Sequence, residues 1–143
     1  GRCLIKDNTI LYYANASGSE YVIPDGVHSI GANAFYYCSN IENITTSNSV
    51  TIIEDSAFYS CENLSTITIS EGVQTIGKGV FNDCSLLRYV YCKPVTPPTR
   101  GAYDDIFYDA DNVIIYVPTA SVDTYKGADG WKLDADRIVG YDF

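Results

Sequence analysis

The chain has 143 residues, 46% of them hydrophobic, and carries a formal net charge of −9 at pH 7. This length predicts a single domain, 1–143, and the negative charge argues against nucleic acid or an anionic membrane as a partner. No run of 18 or more apolar residues is present, so the sequence predicts no direct insertion into a membrane.

Residues 1–26 have the pattern of an N-terminal cap or partial repeat. Two apolar runs, Cys3-Leu4-Ile5 and Ile10-Leu11-Tyr12-Tyr13, flank the dipeptide Asp7-Asn8. Apolar runs separated by turn-forming residues are typical of a β-hairpin. We therefore expect this segment to cap the one that follows with a hairpin.

A short sequence pattern recurs after this cap, once in each of three units at 27–49, 50–72 and 73–95. A small residue and a phenylalanine are followed by a cysteine: Ala34-Phe35 with Cys38, Ala57-Phe58 with Cys61, and Val80-Phe81 with Cys84. The spacing from one copy to the next is the same both times, twenty-three positions, and a fixed period predicts a solenoid whose stacked units share one core. The i,i+4 spacing predicts one helical or 3₁₀ turn with the small residue and the cysteine facing inward.

Each unit closes with an apolar pattern whose last two members are two residues apart, which is strand spacing. The predicted inward positions are Ile41, Ile44, Thr46, Leu64, Ile67, Ile69, Leu87, Val90 and Cys92. The strands of successive units should pair as a parallel sheet. The residues between the inward ones must then face outward: Glu42, Asn43, Thr45, Ser65, Thr66, Thr68, Arg88, Tyr89 and Tyr91.

These nine outward residues are the candidate ligand-binding residues. Together they form a patch that changes along the array from hydroxyl-rich to aromatic and basic. Arginine and tyrosine are enriched among the residues that carry interface energy, and repeat proteins commonly bind through such an extended face. The alternative reading, which the sequence leaves open, is that they are solvated strand residues.

The period slips after Val95, and residues 96–143 have the pattern of a degenerate repeat followed by a C-terminal cap. Pro97-Pro98 interrupts regular structure, and the next phenylalanine, Phe107, lies farther from Phe81 than the repeat period requires. Residues 121–126 predict a short helix, and Trp131 is the single tryptophan of the chain. Atypical terminal repeats are expected because an uncapped solenoid exposes its core.

The sequence contains no motif for catalysis, a cofactor or a metal. The glycine patterns that bind nucleotides and the zinc-protease and serine-hydrolase motifs are absent. The aspartates of the slipped unit fit no EF-hand spacing and predict a solvated acidic loop: Asp104, Asp105, Asp109 and Asp111. We therefore predict no enzymatic activity, no cofactor and no metal site.

Three of the five cysteines fall in one column of the predicted solenoid, at Cys38, Cys61 and Cys84. Stacked neighbours would lie about 5 Å apart. Their Cβ vectors would be parallel, however, which suits the dihedral angle of a disulfide poorly. We expect these thiols to be buried and reduced.

The segment from Ile23 to Ile41 combines Ile23-Pro24, Ile30-Gly31, Ala34-Phe35 and Cys38 in a fixed order. In this spacing it resembles the BspA-like leucine-rich repeats of bacterial cell-surface proteins. The resemblance implies a β-rich leucine-rich-repeat solenoid with a parallel sheet, an N-terminal hairpin cap and a C-terminal capping segment. It also implies a non-catalytic module, secreted or on the bacterial cell surface, that mediates protein–protein or cell-adhesion interactions with an extracellular protein or host macromolecule. Separately, we expect the chain to be a monomer.

Two other functions are compatible with the same sequence. The array could be a structural spacer or self-assembly element that presents other domains or packs against its own copy. The tyrosines could also form a weak carbohydrate-binding surface, since the chain has thirteen of them.

Overall fold

A computed structural model describes residues 3–15 and 17–143, and within them the chain forms eleven strands and three short helical segments. The strands are β1 (Cys3–Lys6), β2 (Thr9–Tyr13), β3 (Glu20–Val22), β4 (Ser29–Ile30), β5 (Asn43–Thr45), β6 (Ile52–Ile53), β7 (Thr66–Ile69), β8 (Thr75–Ile76), β9 (Tyr89–Cys92), β10 (Ile114–Pro118) and β11 (Ile138–Tyr141). The helical segments are a 3₁₀ turn at Thr119–Ser121, helix α1 at Val122–Gly127 and a 3₁₀ segment at Trp131–Arg137.

The strands form two sheets, and each repeat contributes one strand to each of them. The first sheet has the order β1-β2-β4-β6-β8, and the second, here called the long-strand sheet, has the order β11-β10-β9-β7-β5-β3. Equivalent residues pair across neighbouring strands, so that Ile44 lies beside Ile67 and Ile67 beside Val90. These partners are one repeat period apart, and the pairing is parallel, as the sequence predicts.

A column of stacked aromatic rings runs through the core from unit to unit. Ring centroids are 5.1 Å apart for Phe35 and Phe58, and 5.8 Å apart for Phe58 and Phe81. The column extends beyond the three predicted units, because Tyr13 stacks on Phe35 at 4.9 Å and Phe107 on Phe81 at 5.6 Å. The rings of this column are buried. The predicted phenylalanine column is therefore confirmed, with one additional ring at each end.

The segment between the two strands of a unit is a run of tight turns, so the predicted helical or 3₁₀ turn is wrong. In the first unit the N–H groups of Ala34 and Cys38 each donate to the carbonyl three residues earlier, at 3.1 Å. The residue before each donor is left-handed, with φ of 57° at Asn33 and 55° at Tyr37. Positive φ at this position is the signature of a type II turn, and it cannot continue a right-handed helix.

These turns leave backbone groups free to bond to the next unit, which a helix would not. Alternate N–H groups of the first unit donate to carbonyls of the second: Asn33 to Asp55 at 3.2 Å, Phe35 to Ala57 at 2.8 Å and Tyr37 to Tyr59 at 3.1 Å. The turns therefore add a third row of hydrogen bonds between units, beside those of the two sheets. The inward positions of the small residue and the cysteine are as predicted, since all three cysteines of the column are buried.

Two of the buried thiols form hydrogen bonds between the turns of neighbouring units. The Cys61 Sγ donates to the carbonyl of Phe35 at 3.0 Å, and the Cys84 Sγ donates to the carbonyl of Phe58 at 3.1 Å. A cysteine at this position thus links its own unit to the one before it. Burial raises the pKa of Cys84 to about 12 and that of Cys92 to about 12.

The middle unit departs from the repeat pattern at Glu54, where the other units have Gly31 and Gly77. The Glu54 carboxylate accepts hydrogen bonds from the Ser29 hydroxyl at 2.8 Å and from the Ala32 N–H at 3.1 Å. Glycine is required at Gly77, because a Cβ there would lie 2.5 Å from the backbone nitrogen of Asp55. The glutamate at this position therefore adds two hydrogen bonds between the first and second units.

The N-terminal residues form an antiparallel hairpin of β1 and β2, turned by Asp7 and Asn8 with φ of 49° and 60°. Strand β2 also pairs in parallel with β4, and β3 pairs in parallel with β5. The segment therefore contains a shortened unit with one strand in each sheet. Residues 1, 2 and 16 of the predicted cap 1–26 lie outside the described residues.

The degenerate unit continues the core, but an arginine takes a position that is isoleucine in the three regular units. Thr99 pairs with Thr75, which puts Arg100 next to Ile76 in a column of isoleucines. The buried Arg100 donates to the Asp134 carboxylate at 2.9 Å and lies 5.0 Å from the centroid of the Trp131 ring. Burial lowers the pKa of the Arg100 guanidinium and raises that of the Asp134 carboxyl, while the ion pair opposes both shifts.

The C-terminal segment closes the end of the core with large side chains. Trp131 Nε1 donates to the carbonyl of Pro98, and the Tyr125 hydroxyl donates to the carbonyl of Pro94, both at 2.7 Å. Strand β11 then pairs in parallel with β10 at the edge of the long-strand sheet. The proline-rich loop that breaks the repeat is thus the surface on which this segment packs.

We predict that Phe58→Ala lowers the free energy of unfolding by about 3 to 5 kcal/mol, because the ring is fully buried between two others and its loss leaves a cavity. Chemical denaturation followed by circular dichroism measures this. Tyr103→Ala is the matched control, since Tyr103 is 94% exposed, and should change stability by less than about 0.5 kcal/mol. A loss below about 1 kcal/mol for Phe58→Ala would contradict the shared core.

The second prediction concerns the thiols. With N-ethylmaleimide at neutral pH, the folded chain should leave Cys38, Cys61, Cys84 and Cys92 unmodified, because they are buried and the thiolate is the reactive form. Denaturation in guanidinium should make all five cysteines reactive. Mass spectrometry that finds a bridge between Cys38 and Cys61, or between Cys61 and Cys84, would refute the prediction.

Candidate interaction surface

The nine candidate residues lie on one side of the long-strand sheet. Asn43, Thr66 and Tyr89 pair as neighbours across β5, β7 and β9. Thr45, Thr68 and Tyr91 form the next row in the same way, and Glu42, Ser65 and Arg88 immediately precede the three strands. None of the nine is buried, whereas the predicted inward residues all are. The structure therefore brings the whole predicted set together.

The structure adds residues that the sequence pattern did not indicate. Tyr116 pairs with Tyr91 across β9 and β10, and their rings are stacked with centroids 5.1 Å apart. Tyr141 packs edge-on against both, at 5.5 Å from Tyr91 and 5.4 Å from Tyr116. Phe143 lies 4.9 Å from Tyr141, and Lys93 Nζ is 5.6 Å from the centroid of the Phe143 ring. These residues extend the aromatic end of the face to the last strand.

Of the three added aromatic residues, one was accessible from the sequence and two were not. Tyr116 stands between Ile115 and Val117, two apolar residues of the degenerate unit, so strand alternation would have placed it outward. Tyr141 and Phe143 follow a helical segment that does not repeat. No period relates them to the earlier units, and only the pairing of β11 with β10 brings them here.

The tyrosine rings are turned so that they cover one another's faces. Tyr91 and Tyr116 have nearly parallel planes, 15° apart, and Tyr89 and Tyr116 are also stacked, with centroids 6.4 Å apart. Each stacked pair thus covers one face of each of its two rings. Burial, followed by the neighbouring phenols, raises the pKa of Tyr91, so that its hydroxyl is a neutral hydrogen-bond donor at physiological pH.

A cleft of about 340 Å³ opens at the end of this aromatic cluster. Its walls are Tyr91, Tyr141 and Phe143, and its polar lining comes from Thr68, Lys93 and Asp142. A groove of about 560 Å³ continues from it past Glu71, Val95 and Pro118. The cleft has the size and the mixed lining that suit one large side chain of a partner.

A second group of tyrosines lies on the turns and not on the sheet. Tyr36 and Tyr59 occupy equivalent positions in neighbouring units, and their rings stack with centroids 5.4 Å apart. Tyr37 packs edge-on against Tyr36 at 4.5 Å. This group is separate from the candidate face.

The acidic loop of the degenerate unit is engaged in local hydrogen bonds. Asp105 Oδ1 accepts from the Phe107 N–H at 2.9 Å, and the carbonyl of Asp104 accepts from Arg100 Nη2 at 2.7 Å. Within residues 3–15 and 17–143, no group of three or more acidic, cysteine or histidine side chains is placed to hold a metal ion. Among the same residues, no helix has the length and apolarity to cross a membrane.

Comparison with known structures identifies similar bacterial proteins. A leucine-rich repeat protein from Eubacterium ventriosum is 29% identical over 78% of this chain and 29% of its own, with a TM-score of 0.63. The leucine-rich repeat protein of T. pallidum is 22% identical over 78% of this chain and 64% of its own, with a TM-score of 0.52. A leucine-rich cell-surface protein from Faecalibacterium prausnitzii is 20% identical over 76% of this chain and 34% of its own, with a TM-score of 0.50.

The chain spans less than a third of the length of the E. ventriosum protein. No curated protein sequence matches it significantly. The family model for the BspA-type leucine-rich repeat region matches residues 8–121 in six copies. That match covers the hairpin strand β2, all three predicted units and the degenerate unit. The chain belongs to the BspA-type leucine-rich-repeat family.

Proposed function

We propose that the chain is a non-catalytic module, secreted or on the cell surface, that binds an extracellular protein through the long-strand sheet. Leucine-rich repeats are a protein-binding type of module. The F. prausnitzii protein of the same fold is a cell-surface protein, which supports the same location for this chain. The role in adhesion follows from that location and from the exposed binding face.

The observation that carries this proposal is the composition of the face. Tyr89, Tyr91, Tyr116 and Tyr141 form one packed group beside Arg88, on rigid strands. Tyrosine and arginine are the residue types that most often carry binding energy in protein interfaces. Their mutual packing fixes the rings before a partner arrives, which reduces the entropy lost on binding.

A carbohydrate ligand is less well supported by the geometry of the same rings. Sugar rings bind to tyrosine by stacking on an exposed ring face, whereas Tyr91 and Tyr116 use facing sides against each other. Tyrosine combines an apolar ring with a polar hydroxyl, which suits the mixed polar and apolar surface of a protein.

Self-assembly is the second candidate, and one observation favours it. The N-terminal hairpin exposes Leu4, Ile5, Leu11 and Tyr12, between 42% and 60% of each side chain. Its outer strand β1 is a sheet edge, and such edges can pair with another copy. Against it stands the net charge of −9, which makes copies repel one another.

We expect the chain to sediment as a monomer at micromolar concentrations and physiological salt, because charge repulsion opposes pairing of the exposed edge. Sedimentation velocity over a range of concentrations measures this. If a dimer forms and Leu4→Lys abolishes it, the hairpin edge is an interface between copies, and self-assembly becomes the better proposal.

The test of the binding face uses Arg88→Ala with Tyr89→Ala. Both side chains are exposed, so the melting temperature should change little, while capture of a protein partner should fall at least tenfold. Biolayer interferometry against a panel of purified extracellular-matrix proteins and intact bacterial cells measures binding. The matched control is Lys78→Ala with Tyr103→Ala, which removes an exposed cation and an exposed tyrosine elsewhere.

The control variant should bind as the wild-type chain does. A partner that binds the Arg88 and Tyr89 variant normally would show that the long-strand sheet is not the site, and the turns or the caps would then be the surfaces to test.

A further inference from the structure

The charges on the long-strand sheet are sorted from one end to the other. Glu20 on β3 and Glu42 just before β5 are exposed, and the strand pairing sets them beside each other, since Glu20 pairs with Asn43. Arg88 and Lys93 lie at the two ends of β9. Within residues 3–15 and 17–143, none of the four is in an ion pair. The acidic end and the basic end are separated by the hydroxyl side chains of β5 and β7.

Glu20 and Glu42 give this end of the face two negative side chains. No cation of the described residues forms an ion pair with either of them. The chain as a whole carries −9, so its field draws a basic partner and repels an acidic one. A lysine or arginine of a partner would therefore be favoured above Glu20 and Glu42.

The opposite end of the face favours an apolar side chain of the partner and not a basic one. The cleft between Tyr91, Tyr141 and Phe143 has apolar walls, which suit an aromatic or large aliphatic side chain. Arg88 and Lys93 flank the tyrosines of β9, so a basic residue placed beside them would meet like charge. Asp142 also lines the cleft, where its carboxylate accepts a hydrogen bond from the Thr119 hydroxyl at 2.8 Å. The same ligand could not exchange its two ends without a loss in binding energy.

From this arrangement, and resting on the proposed function above, we infer that the partner segment is an extended polypeptide with a basic cluster and an apolar anchor. The basic cluster lies over Glu20 and Glu42, and the anchor enters the cleft at Tyr91. Strands are about 4.8 Å apart, so that β3 lies about 14 Å from β9 and about 24 Å from β11. An extended chain covers this distance in roughly four to seven residues.

The experiment is a selection followed by an affinity measurement. A random twelve-residue phage-display library is panned on the immobilised wild-type chain. We expect the enriched peptides to carry lysine or arginine separated by four to seven residues from tryptophan, phenylalanine, tyrosine or leucine. A synthetic peptide of the enriched sequence, labelled with fluorescein, then serves as the probe in fluorescence anisotropy.

The decisive variant exchanges the charges of the face without changing the net charge: Glu20→Lys, Glu42→Lys, Arg88→Glu and Lys93→Glu. It should bind the peptide at least tenfold more weakly than the wild-type chain. The matched control makes the same exchange at exposed positions away from the face, Asp25→Lys, Glu62→Lys, Lys78→Glu and Lys126→Glu, and should bind within twofold of wild type. Equal binding by wild type and the face variant would overturn the inference, because net charge alone would then attract the peptide.

Other outcomes separate this inference from the proposed function. Enriched peptides that lose binding on Tyr91→Ala but carry no basic cluster would refute the charge pattern and leave the face as a protein-binding site. Peptides that bind independently of both Tyr91 and the four charges would count against both proposals. Binding of a neutral glycan on an array, lost on Tyr91→Ala, would replace the polypeptide with a carbohydrate as the ligand. In each of these variants an unchanged melting temperature shows that the fold is intact.

Discussion

The fold depends on contact between neighbouring units, because no single repeat unit is long enough to enclose a core of its own. Phe35, Phe58 and Phe81 each pack against the ring before and the ring after in the column. The backbone is bound in the same direction, through two sheets and the row of turns. Stability is therefore close to a sum of interfaces between neighbours. A change in one unit acts first on the two units beside it.

This dependence explains why the ends of the array are built differently. At the N-terminal end, a hairpin forms the edge of the first sheet and Tyr13 takes the next position in the column of rings. At the C-terminal end, Tyr125 and Trp131 are buried against the proline-rich loop. The open edge of the long-strand sheet at β3 is short and presents Glu20, and charge on an edge strand discourages pairing with other chains. Different aromatic residues are thus buried at the two ends of the described array.

The sequence predicted well those features that recur with the repeat period. The phenylalanine column, the inward strand residues and the outward patch all follow from that period and from strand alternation. The turns were mispredicted because an i,i+4 spacing of inward residues suits a helical turn equally. The left-handed residues that decide against a helix are of different types, Asn33, Ser56 and Gly79. Arg100 in an isoleucine column, and Tyr141 beside Tyr116, depend on packing of the C-terminal segment and have no repeated signal.

The ion pair between Arg100 and Asp134 restricts how the array can change in length. A duplicated or deleted unit between Val27 and Val95 meets neighbours with the same columns of core side chains, so the core contacts are preserved in kind. A duplicated segment that contained Arg100 would bury a second guanidinium without a carboxylate, which costs about 3 to 5 kcal/mol. Lengthening or shortening the array on the N-terminal side of this pair avoids that cost. In a family of such proteins, variation in repeat number should accumulate upstream of a C-terminal end that is inherited as one block.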